Sequence, residues 1–95
     1  MRVKFTPVES FYDPENEVYV EEIGAEITTP YGTREVQMRF EDYVCVRADV
    51  VEYGEWVVYD LLNNGWEAAR FFEDYGGIYD EAKEMIEQAR SKKEV

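Results

Sequence analysis

Between residues 18 and 50 apolar side chains recur mostly at every second position, and from residue 68 to residue 89 they recur at every third and fourth. The first spacing is that of a strand with one buried face, and the second lines one face of a helix. An α+β chain is predicted, with residues 1–53 mainly β and residues 54–95 mainly α.

Val3 and Phe5 alternate with Arg2 and Lys4, and Pro7 marks an edge strand or a bulge because proline cannot donate to a ladder. Asp13-Pro14-Glu15-Asn16 has the residues that a type I turn prefers, so a hairpin follows. Beyond it, Val18 and Val20 share one parity while Ile23, Ala25 and Ile27 share the other. A phase flip near Glu21, Glu22 and Gly24 predicts a β-bulge there. Thr29-Pro30-Tyr31-Gly32 supplies another turn. Val36, Met38 and Phe40 then alternate with polar residues, and the same parity resumes at Val44, Val46, Ala48 and Val50, with a bend around Glu41, Asp42 and Tyr43. The reading is an antiparallel sheet of three or four strands, one face apolar and one wet.

Ala68, Phe71, Phe72 and Tyr75 line one helix face, with Asn64 as N-cap and Gly76-Gly77 as the stop. Ala82, Met85, Ile86 and Ala89 repeat the spacing behind Asp80, which predicts another helix. Residues 55–63 fit either a strand after a Glu52-Tyr53-Gly54 loop or a short helix through Val58, Leu61 and Leu62, and the helix is preferred. Two or three helices would then cover the apolar face of the sheet. Ninety-five residues make one domain, with a radius of gyration of about 12 Å.

Charge changes this picture. The chain holds 22 acids and 10 bases, a net charge of −12, beyond the magnitude of roughly 2 to 8 that keeps a small domain soluble. Residues 5–33 contain seven acids and no base: Glu9, Asp13, Glu15, Glu17, Glu21, Glu22 and Glu26. Ion-pair networks of the thermophile kind need bases in comparable number, and here they can serve at most ten acids.

Catalytic chemistry is hard to place. The chain has no His, so it lacks the commonest general base and metal ligand, and neither Ser10 nor Ser91 has an imidazole to activate it. Cys45 lies in the apolar run Tyr43-Val44-Cys45-Val46 and reads as a core thiol in a reducing compartment. Asp13, Glu15 and Glu17 have the odd spacing of a calcium loop, but its sixth position is Val18 and its twelfth is Gly24. No phosphate-binding glycine loop, cofactor motif, signal peptide or membrane span is legible.

These features predict a non-catalytic, cytoplasmic interaction protein without cofactor or metal, acting in the host cytoplasm if its source is a phage or virus. The seven acids of residues 5–33 are the candidate contacts with a basic nucleic-acid-binding protein, which the chain would inhibit by imitating nucleic acid. Direct binding to DNA or RNA is disfavoured by the charge. Small acidic proteins of phages and mobile elements, the antirestriction and anti-CRISPR factors, are similar in size and composition. The alternative is an acidic subunit or adaptor that forms a homodimer or heterodimer through surface aromatics such as Tyr12, Tyr19, Tyr31 and Tyr43.

Overall fold

The computed structural model describes residues 2–93. Six strands, β1 (Arg2–Phe5), β2 (Glu9–Asp13), β3 (Val18–Thr29), β4 (Gly32–Glu41), β5 (Val44–Glu52) and β6 (Glu55–Asp60), are followed by one helix, α1 (Gly65–Lys93). All strand pairs are antiparallel, in the order β1-β3-β4-β5-β6, with β2 also paired to β3. The expected three or four strands under two or three helices are therefore corrected to one six-stranded sheet under a single helix.

Three local causes account for the difference. Pro7 interrupts the first strand, so that β1 pairs with Ala25–Thr28 and β2 with Val18–Glu22 along the same edge of β3. The Thr6 N–H donates to the Gly24 carbonyl at 2.9 Å and the Gly24 N–H donates to Thr6 Oγ1 at 2.8 Å, which holds the break closed. At the other edge, Tyr53 and Gly54 both take positive φ, 52° and 81°, as the two central residues of a type I′ hairpin require. The hairpin forces residues 55–60 into β6 instead of the preferred short helix. The helical face that suggested otherwise was never a core face, since Val58 and Leu62 are exposed while Tyr59 is buried.

The third cause lies in α1. Gly76 and Gly77 do not stop the helix, because Phe71, Tyr75, Ile78, Ala82 and Ile86 keep one buried stripe in phase across them. Burying each large apolar side chain contributes about 1.5–3 kcal/mol, against a helix-interior glycine penalty of about 1 kcal/mol.

The stripe packs on Ile23, Ala25, Ile27, Val36, Met38, Phe40, Ala48, Val50 and Tyr59 of the sheet. β3 pairs with β4 without a register shift from Val20↔Glu41 to Thr29↔Gly32, so the bulge expected near Glu21 and Gly24 is absent. The parity change in the sequence records a change of face: Val18 and Val20 point away from the helix, and Val20 is nevertheless fully buried. The irregularity falls in β5, where Arg39↔Arg47 is followed by Phe40↔Cys45 and Val46 is the extra residue. It turns Cys45 into the core and leaves Val44 exposed.

Burial pushes the Cys45 thiol up to about 12. A raised folded-state value means that stability is complete below the unfolded value near 9 and is lost as pH climbs toward 12. At neutral pH the shift leaves about a thousandfold less thiolate than in the unfolded chain. Native protein should therefore react with an aromatic disulfide reagent orders of magnitude more slowly than protein in urea, measured by absorbance of the released thiol.

Candidate partner-binding surface

α1 covers one face of the sheet, and the other face is open. Strand alternation and register place Glu9, Asp13, Glu22, Glu26, Glu35, Glu41, Asp49 and Asp60 on the open face, with Arg2, Lys4, Arg39 and Arg47 among them. The bases are drawn to particular acids. Arg39 lies 3.6 Å from Asp13 and 3.7 Å from Glu41, and Arg47 lies 3.3 Å from Asp49.

Two cross-strand pairs stand out. Glu9 is directly opposite Glu22 across β2 and β3, and Glu26 is directly opposite Glu35 across β3 and β4. Directly opposed side chains have Cβ atoms about 4.5–5.5 Å apart, a spacing at which like charges repel. The two pairs lie four residues apart along β3, about 13 Å at the rise of a strand.

Of the seven acids expected from the sequence, Glu9, Asp13, Glu22 and Glu26 share the open face, and Glu15 and Glu17 extend it at the exposed β2–β3 turn. Asp13 also builds that turn: its Oδ1 accepts the Glu15 N–H at 3.0 Å and its Oδ2 accepts the Asn16 side-chain amide at 2.8 Å. The Asn16 amide holds the Asp13 carboxyl below the usual carboxylate range. Glu21 does not reach the surface. It points to the helix side, is 2% exposed, and accepts the Arg90 Nε–H at 2.6 Å. Arg90 in turn stacks 3.7 Å from the centre of the Tyr43 ring.

Acids outside residues 5–33 also contribute. Glu35 alternates with the buried Val36 and Met38, so the strand pattern alone placed it outward; its pairing with Glu26 needed the register. Glu73, Asp80, Glu84 and Glu87 follow one another at seven, four and three residues and are exposed on the outer side of α1. The carboxylates thus occupy both broad faces of a slab measuring 42 × 28 × 20 Å. They spread in rows: among the described residues, no group of three or more acids, thiols or imidazoles is placed to hold a metal ion. Nor, among those residues, is any helix long and apolar enough to cross a membrane.

No family model, curated protein or solved structure matches this chain.

Proposed function

We propose that this protein is a non-catalytic inhibitor that occupies the basic groove of a nucleic-acid-binding protein in place of its nucleic acid. The observation that carries the proposal is the direct opposition of Glu9 to Glu22 and of Glu26 to Glu35 on the uncovered face. Like charges directly opposite one another destabilise a sheet, and a neutral side chain at any one of these positions would relieve the strain. Each pair has one base directly across from it, Arg39 facing Glu22 and Lys4 facing Glu26, which leaves one carboxylate of each pair for a basic partner to neutralise.

Charge density supports the same reading. B-DNA carries one phosphate charge per 1.7 Å, hence about 25 over the long dimension of the slab. The chain carries 22 acids, of which Glu21 is withdrawn from the surface, and the protein is 42 Å long. The open-face carboxylates are mounted on a sheet whose register is fixed by the core beneath it, so binding costs little ordering of the backbone. Association is fast and weakens as salt is raised, because a basic groove steers the acidic slab toward it.

The test is capture from host lysate on the immobilised full chain at low salt, with elution by competing duplex DNA and identification of the proteins released. The parent should retain nucleic-acid-binding proteins that the duplex displaces. The variant combining Glu9→Gln, Glu22→Gln, Glu26→Gln and Glu35→Gln should lose at least about tenfold of that retention while keeping the parent's circular dichroism, since relief of each opposed pair offsets the loss of Glu22 opposite Arg39 and of Glu26 opposite Lys4. Equal retention by the variant, or a captured set indifferent to DNA, overturns the reading.

A further inference from the structure

The two edges of the sheet are unlike. On one, the β1–β2 strand is broken at Pro7 and carries Arg2, Lys4 and Glu9, the devices that keep a strand edge from recruiting another strand. The other edge, β6, runs Glu55-Trp56-Val57-Val58-Tyr59-Asp60, with charge only at its ends. Trp56 is 57% exposed and Val58 is 56% exposed.

The hydrogen bonds show which backbone groups of β6 are free. The Leu61 N–H donates to the Val46 carbonyl at 3.1 Å, toward β5, whereas the Asp60 N–H points away from β5 and donates to Glu67 Oε2 at 2.9 Å. Antiparallel alternation then aims Tyr59, Val57 and Glu55 at β5, and turns the N–H and C=O groups of Val58 and Trp56 outward. Glu67 closes the edge at Asp60, so only Trp56 and Val58 offer both groups to another strand.

We infer that this edge pairs with the β6 edge of a second copy of the chain, antiparallel about a two-fold axis at Val57. Outward residues must face outward residues, and only one symmetric register uses all four free groups on both copies without disturbing Glu67. It sets Trp56 opposite Val58 of the second copy, and Val57 opposite Val57. Glu55 falls opposite Tyr59 and Asp60 opposite Gly54, so no acid of the strand faces another. On the open face the apolar trio of Val51, Trp56 and Val58 becomes continuous with its counterpart. The exposed Tyr53 comes level with Leu61 and Leu62 of the second copy. These side chains and the strand backbone supply on the order of 1,000 Å² over the two copies, the low end of specific interfaces. The dimer is accordingly weak, and repulsion between two chains of net charge −12 makes salt promote it. That sign is opposite to the one expected for binding a basic groove, so the two proposals fail separately.

Light scattering on the full chain at about 0.1 M and about 1 M NaCl, where the Debye length falls from about 10 to about 3 Å, tests the pairing. The mass should rise from the 11.2 kDa of one chain toward twice that value at the higher salt. Trp56→Lys should hold it at the single-chain mass. The register has its own test. Opposed non-hydrogen-bonded residues have Cα atoms about 4.5 Å apart, within disulfide range, so Val57→Cys should form a covalent dimer under mild oxidation. Val58→Cys, which faces Trp56, should do so at least about tenfold more slowly. Cys45 is buried, so the parent serves as the blank. A single-chain mass at the higher salt, or cross-linking of Val57→Cys no faster than that of Val58→Cys in variants of native circular dichroism, overturns the inference.

Discussion

Replacing Arg90 by Ala should destabilise the protein by about 3–5 kcal/mol, measured by urea denaturation, because it strands a carboxylate inside the fold. Glu21 has 3% of its side chain exposed and its Oε1 receives the Arg90 Nε–H at 2.6 Å. Among the described residues no second partner reaches Glu21 Oε2, so Arg90 is the group that makes this burial tolerable. Glu21 stands on β3 opposite Phe40, on the same face as Ile23 and Ala25, and cannot swing to solvent without breaking the register of that strand. The loss from Glu21→Ala should be of similar order, since it strands the guanidinium instead. The double substitution Glu21→Leu with Arg90→Met should recover most of the stability or exceed the parent, because well-packed apolar pairs often replace buried ion pairs at no cost. Two additive single losses in that cycle would show that the pair does not hold the helix to the sheet. Because Glu21 is withdrawn from the surface, Glu21→Gln should leave capture of a basic partner unchanged even as stability falls.

Glu21 also shows where sequence reading stops. It sits in a base-free stretch with six other acids, and nothing local separates it from Glu22 beside it. Parity on β3 separates them: odd positions lie on the helix side of the sheet and even positions on its open face. That parity was readable from Ile23, Ala25 and Ile27. The earlier Val18 and Val20 disguised it, because they suggested a bulge where the strand continues straight. Val20 is buried on the open face, opposite Phe11 of β2 and Glu41 of β4, a contact between strands that no single-strand pattern contains. The partner of Glu21 lies 69 residues away. Turns were legible for the opposite reason, since Asp13-Pro14-Glu15-Asn16 and Thr29-Pro30-Tyr31-Gly32 write their geometry into neighbouring residues.

The acids follow the same logic. Their number and their lack of bases were plain from the sequence, and their opposition in pairs was not, because opposition is a property of register. Their division between the open sheet face and the outer side of α1 follows from a single helix lying across the sheet. Two helices would have placed Glu73 and Asp80 on separate elements with no common direction. Continuity of α1 through Gly76 and Gly77 therefore bears on the acidic surface as well as on the fold.

Gly76→Ala and Gly77→Ala should each raise stability by about 0.5–1 kcal/mol, and the double variant by about 1–2 kcal/mol. For a domain of this size that corresponds to a rise in Tm of between about 4 and 16 °C. A Cβ built at either position meets no atom within 4 Å, so the gain is not offset by a clash. Neither glycine has the positive φ of a helix-terminating position, in contrast to Gly32 and Gly54, at 134° and 81°. The sign of the result separates the two architectures. In one continuous helix, alanine removes backbone freedom from the unfolded chain and favours the conformation already present. In two helices joined at a left-handed glycine, the same substitutions would force a side chain into a strained backbone and lower the melting temperature. Thermal unfolding followed by circular dichroism at 222 nm, the α-helical band, reads the sign directly, and a drop in Tm for both single variants would break α1 at its middle.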